Sequence, residues 1–262
     1  MIRLEKLVQY CLIGLTSLSL LMMIFVFPTE AGNVNPIFVI LTVFLLYFIL
    51  RFINGQLKKL TVQHLRNIII GSILCVTIIA ILNVIYFRVQ LFGDVQICID
   101  MAKKLAQNNF EWSNWILQYK NLVPLTVLYS WMMKIGQLLH TGFYPIFFTY
   151  NISLLIGSLT LTLLTLWHKN PQAATLASLL AIFLPMFYGF IIQVDYTDGA
   201  SIFALSFLIF LFEFGHVNWW KLGLLTFIFT YGYLMRPNII IALVALSIIG
   251  LFTYKKQKKL IN

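Results

Sequence analysis

The stretch QVDYTDGAS, residues 193–201, puts Asp195 and Asp198 close together in a chain that has eight carboxylates in 262 residues. A third acid, Asp94, opens the segment LFGDVQICIDMAKKLAQNNFEW, and Arg236 stands in YGYLMRPNII. A positioned carboxylate can take the proton of an acceptor hydroxyl. A guanidinium binds phosphate oxygens through a planar two-pronged fork. Each residue also has a plainer explanation. Asp94 sits where a helix N-cap would, Asp198 suits a turn between apolar runs, and Arg236 can snorkel from the end of one. Asp100 has Lys103 and Lys104 three and four positions on as ion-pair partners, which leaves Asp94 the better site candidate. Asp198 directly precedes an apolar run, and ionisable groups at membrane depth are costly unless paired or functional. Asp195 is the reserve candidate.

The elements that must position these residues are membrane helices. Hydrophobic residues make up 61% of the chain and charged residues 10%, against about 45–50% and roughly 25% in soluble domains. Such a chain cannot cover a water-facing surface, so it is expected to be all-α, a polytopic bundle of about eight spans. The expected spans are Leu7–Phe27, Pro36–Phe52, Ile68–Phe87, Phe143–Trp167, Ala173–Ile192, Gly199–Phe214, Trp219–Met235 and Asn238–Tyr254. The first is too long for a signal-peptide core and lacks a cleavage pattern, so it reads as a retained anchor. The organisation expected is two N-terminal spans over residues 1–67 and a larger membrane module over 68–262, with an outer loop at 88–142.

One apolar run, LVPLTVLYSWMMKIGQLL at 122–139, is expected to lie flat instead of crossing. Thr126, Ser130, Lys134 and Gln137 form one polar stripe opposite Leu125, Leu128, Met132, Ile135 and Leu139. Val95–Gln107 likewise reads as an amphipathic helix, with Gln96, Asp100, Lys103 and Gln107 on one side. With both termini cytoplasmic, twelve of the 18 Lys and Arg residues fall inside and six outside, as the positive-inside rule asks. The same rule explains the formal charge of +10 better than nucleic acid does. Six acids then face outward, Asp94, Asp100, Asp195 and Asp198 among them. Cys11, Cys75 and Cys98 make no disulfide or metal framework, and the four histidines are scattered near span edges. Asn83, Asn151 and Glu213 are the few polar groups within spans, and they form no transporter-like pattern.

The order of these features resembles the GT-C class of integral-membrane glycosyltransferases, nearest to bacterial relatives of protein O-mannosyltransferases and of the lipid A aminoarabinose transferase. The likeness runs from about Ile68 to Tyr254. It rests on an acid opening the first outer loop, YKNLVPL (119–125) leading into a flat helix, YTD (196–198) opening a span, and the basic residue of MRPN. It implies transfer of a sugar from a polyprenyl-phosphate carrier at the outer face of the cell membrane. Asp94 matches the first-loop catalytic acid and Asp198 the acid of the second outer loop. Arg236 falls where relatives carry a basic residue near the lipid phosphate. Arg88, Lys120, Tyr119 and Tyr196 are expected to line the same substrate site. Some relatives use a divalent cation, Mg²⁺ or Mn²⁺, which carboxylates could bridge. Two features depart from the class. The usual Tyr-Pro of the first loop is Tyr119-Lys120 here, and relatives continue beyond eight spans, which implies a shortened member. The rival class is a non-catalytic membrane subunit, a flippase component or assembly partner of a cell-envelope glycan pathway, in which Asp94 and Asp198 would lie apart.

Overall fold

The structure, a computed structural model, describes residues 36–87, 91, 93–183, 187–193, 197–214, 218–241 and 244–245, and every regular element among them is helical. The expected all-α class holds. The expected span Leu7–Phe27 and most of Asn238–Tyr254 lie outside the described residues. Two compact units divide between Lys59 and Leu60, not at residue 67. The boundary falls earlier because the helix expected from Ile68 begins at Val62. Thr61 caps it, accepting the His64 backbone N–H on its hydroxyl, and the polar VQHLRN segment continues straight into the apolar run.

The described part of the first unit is one helix, α1 (Pro36–Leu57). Pro36 stands at its start, where the missing N–H costs nothing. The second unit contains α2 (Val62–Tyr86), α3 (Gly93–Ala106), α4 (Asn114–Gln118), α5 (Val123–Leu138), α6 (Phe143–Lys169), α7 (Pro171–Phe183), the single turn α8 (Phe190–Gln193), α9 (Asp198–Glu213) and α10 (Trp219–Met235). Two described helices, α2 and α6, are long and apolar enough to cross a bilayer. At 1.5 Å per residue they measure about 37 and 40 Å, against a hydrocarbon core of about 30 Å. The outer face of α2 exposes Ile70, Leu74, Ile78, Leu82 and Ile85 as one stripe. A soluble monomer rarely leaves so continuous an apolar face to water.

The expected span Ala173–Ile192 is two pieces, α7 and α8. The break is seen at 187–189, where Gly189 weakens any continuation of helix. The polar side chains then give the directions of the helices. Thr162–Ser206 and Lys169–Glu213 pair at the same sequence offset, so α6 and α9 run parallel and in register. Ser72 meets Ser178 and Asn83 meets Gln193, so α2 runs parallel to α7 and α8. At one end of α10 the Lys221 ammonium donates to the Phe214 carbonyl, and at the other Arg236 meets Asp198, so α10 returns antiparallel to α9. Gly232 lets that pair close up; a Cβ there would lie 2.7 Å from Ala204 Cβ.

One end of the bundle therefore carries Phe87, Phe143, Gln193, Asp198 and Arg236, and the opposite end carries Thr61, Lys169, Glu213 and Lys221. At the Asp198 end, α5 packs on the first turns of α6, and α3 packs on α5. Tyr129 of α5 lies against Phe143 and Phe147. An antiparallel hairpin would place Tyr129 about 15 Å from the turn, well beyond Phe143, so α5 crosses the end of α6. Its expected polar stripe is not its outer face. Thr126 and Ser130 are buried, their hydroxyls donating to the Leu122 and Val127 carbonyls. A hydroxyl bonded back to its own helix packs like a small apolar group. The exposed face is instead Val127, Trp131, Ile135 and Leu138, beside Lys134. For α3 the expected side holds: Val95, Cys98, Ile99, Ala102 and Leu105 are buried, while Asp100, Lys103 and Gln107 are exposed.

Candidate functional site

Asp198 is the first residue of α9, where the helix dipole favours a negative charge. Gly199 and Ala200 behind it are buried. Arg236 caps the C-terminus of α10 in extended conformation, its N–H bonded to the Gly232 carbonyl at 2.8 Å, and Pro237 opens a 3-10 segment. The Arg236 Nη1 forms an ion pair with Asp198 Oδ1 across the two helix ends, with the side chains 45% and 42% exposed. Guanidinium has five N–H donors, so one carboxylate fixes its direction without using up its capacity. On the other side of Arg236 lies a cleft of about 350 Å³ walled by Ile202, Leu205, Ile239 and Ile241, with Arg236 the charged residue in its lining.

Asp94 lies in the first turn of α3, after Gly93 at φ 64°. The expected cap position is thus displaced by one helical residue. Its Oδ1 accepts the Trp115 indole N–H at 2.9 Å. Trp115 and Tyr119 share one face of α4, the short helix capped by Ser113, with ring centroids 4.6 Å apart. Asp100 takes the Gln96 amide at 2.8 Å rather than a lysine. Lys120 opens the 3-10 turn Lys120–Leu122, which packs against α10. Beneath Asp94, burial raises the Cys98 thiol above its ordinary pKa; hydrogen bonding with Thr126 lowers it in part, and the Asp94 charge adds to the rise.

One buried cluster underlies all of these groups. It contains Val95 next to Asp94, Leu122 in the Lys120 turn, Ala200 two residues after Asp198 and Met235 just before Arg236. Asp94, Lys120, Asp198 and Arg236 thus border a common core at one end of the bundle. The hydroxyls of Tyr150 on α6 and Tyr231 on α10 bond to each other across it. Arg88, Tyr196 and Asp195 lie outside the described residues. Among the described residues, no three His, Cys, Asp or Glu side chains gather as a metal-holding set, and the Asp198 carboxylate faces a guanidinium.

Trp115 was not legible as a site residue, because its partner is 21 positions away and nothing local marks the pairing. Asn83 and Asn151, patternless in sequence, converge on α8. The fully buried Asn151 donates to the Ile192 carbonyl at 2.9 Å, and buried Gln193 donates to Asn83 Oδ1 at 2.6 Å and to the Phe87 carbonyl. Among the described residues, the Asn151 Oδ1 meets no hydrogen-bond partner. The only sequence signal was the rarity of amides in apolar runs. No family model, curated protein or solved structure matches the chain.

Proposed function

We propose that the protein is a multi-pass cell-membrane glycosyltransferase that moves a sugar from a polyprenyl-phosphate carrier to an acceptor hydroxyl at the Asp198 end of the bundle. The observation that carries the reading is Arg236, aimed by Asp198 and set beside an apolar cleft. An anionic lipid needs that combination: a fork for phosphate oxygens and a groove for the chain beside it. The cleft volume falls within the ~300–1,000 Å³ of small-molecule sites. In the step proposed, the acceptor oxygen bonds to the anomeric carbon as the carbon–oxygen bond to phosphate breaks. The acceptor proton passes to Asp94. The lipid phosphate leaves with the electron pair, and Arg236 and Lys120 stabilise its growing charge. Asp198 holds the Arg236 fork in place, a positioning role. Over the rival subunit reading, in which Asp94 and Asp198 lie apart with no cavity joining them, this one is supported by Val95 and Ala200, close in sequence to the two acids, lying in one buried cluster.

The test is transfer from a radiolabelled polyprenyl-phosphate hexose by the protein in nanodiscs, read as loss of label from the lipid. Wild-type protein should release label, and an Asp94→Asn, Asp198→Asn variant should lose at least a hundredfold, the size of a single lost catalytic interaction. Undiminished release by that double variant sinks the reading.

A further inference from the structure

We propose that Trp115, Tyr119 and Asp94 form a binding site for the ring of a pyranoside. The inference rests on the transferase reading for the class of ligand, but its test needs no turnover. A sugar ring has a face of C–H groups and an edge of hydroxyls, so it is recognised by an exposed aromatic plane with a fixed acceptor beside it. Trp115 is 40% exposed and Tyr119 41%. Their rings meet at 47° with centroids 4.6 Å apart, giving one bent aromatic surface formed by α4 and the residue that caps its C-terminus.

The acceptor is Asp94, whose carboxylate the indole N–H holds at 2.9 Å. An ionised carboxylate is an acceptor, the complement of the hydroxyl donors along a sugar's edge. Among the described residues, Trp115 is the tryptophan whose indole N–H meets a carboxylate. Trp131, Trp219 and Trp220 are more exposed and have no such contact, as residues that only mark a membrane interface would. Lys120 follows Tyr119 immediately and faces solvent, which places a cation beside the aromatic surface for the phosphate that such a ring carries. Ser113 fixes the start of α4, and Ile116, buried in the common core, fixes its roll, so the two rings are held and need not be ordered on binding.

The experiment is ligand-observed saturation-transfer NMR on the nanodisc-embedded protein with four probes: the methyl pyranosides of glucose, galactose, mannose and arabinose. Wild-type protein should transfer saturation to at least one probe, concentrated on the C–H protons of one ring face. A Trp115→Leu, Tyr119→Leu variant should weaken binding roughly tenfold, the scale of lost aromatic contacts. Trp115→Phe, which keeps a ring and drops the N–H, should fall between, and Trp219→Leu, an exposed tryptophan at the opposite end of the bundle, should bind as wild type. No saturation of any probe by wild-type protein, or equal saturation by the Leu–Leu variant, overturns the proposal. Binding without transfer activity keeps this site and removes the transferase reading. Transfer that ignores the Trp115–Tyr119 pair does the reverse.

Discussion

Arg236 reaches Asp198 across the ends of α10 and α9, joining the residue before Pro237 to the first residue of another helix. Both side chains are close to half exposed, so the pair contributes only about 0–1 kcal/mol to stability. Its effect belongs to the direction of the guanidinium. We therefore expect Arg236→Lys to change thermal unfolding little while lowering transfer a hundredfold or more, since an ammonium cannot offer the two-pronged contact. Unfolding midpoints and transfer rates measured on the same preparations decide this; equal rates for the variant and wild type would remove Arg236 from the chemistry.

Hydropathy located most of the described helices, because a long apolar run satisfies its backbone groups most readily as a helix. The expected Trp219–Met235 matches α10, and Phe143 opens α6 as expected. Interfacial detail was less legible. Thr126 and Ser130 read as an outward stripe, yet each bonds to its own helix and packs inward. The acids and Arg236 stood out because charges are rare here, whereas the contact between Asp94 and Trp115 exists only after α3 and α4 have packed.

The turn joining α5 to α6 depends on two glycines. A Cβ on Gly136 would lie 2.2 Å from the Gly142 carbonyl oxygen, a backbone atom that cannot step aside. Gly142 itself has φ 78° and ψ −178°, a region other residues avoid. Gly136→Ala and Gly142→Ala should each destabilise by about 1–3 kcal/mol. Gly71→Ala on α2 meets nothing within 4 Å and should stabilise by up to about 1 kcal/mol. Unfolding in a graded SDS series would show the contrast, and a neutral Gly136→Ala would contradict the close approach.

Gln193 closes the open end of α2 by donating to Asn83 Oδ1 and to the Phe87 carbonyl. Gln193→Leu removes both bonds at half-buried Asn83 and exposed Phe87, at about 0.5–1.5 kcal/mol each. Adding Asn83→Ala should then cost less than it does alone, because its bond to Gln193 is already gone. Strict additivity of the two substitutions in the same SDS series would argue against a shared bond.

The Cys98 thiol is buried, and burial pushes its pKa up, with Asp94 adding to the rise. The thiolate is the reactive form, so a raised pKa leaves less of it at any pH below that value. A small maleimide should leave Cys98 unmodified at pH 8 in folded protein and modify it after SDS unfolding, as read by peptide mass. Rapid modification in the folded state would mean that α3 opens from the core.

The two ends of the bundle should face opposite sides of the membrane. Parallel pairing of α2 with α7, and of α6 with α9, puts the α2 start, the α6–α7 turn and the α9–α10 turn at one end. The basic residues Lys58, Lys59, Arg66, Lys169 and Lys221 precede or occupy those segments. The other end holds four of the five carboxylates among the described residues, Asp94, Asp100, Glu111 and Asp198. Short loops rich in Lys and Arg stay in the cytoplasm, and the sequence count of twelve basic residues inside against six outside, Lys103, Lys104, Lys120, Lys134 and Arg236 among the six, predicts the Lys169 end inward and the Asp198 end outward. Cysteines placed at exposed Gln107 and Trp219, in a background lacking Cys11, Cys75 and Cys98, report the two ends separately. A membrane-impermeant maleimide applied to intact cells should label Gln107→Cys at once and Trp219→Cys only after permeabilisation. The opposite order would invert the bundle and move the proposed chemistry to the cytoplasmic face. Labelling of both from outside would mean that α10 does not separate two compartments, and the membrane topology would fall with it.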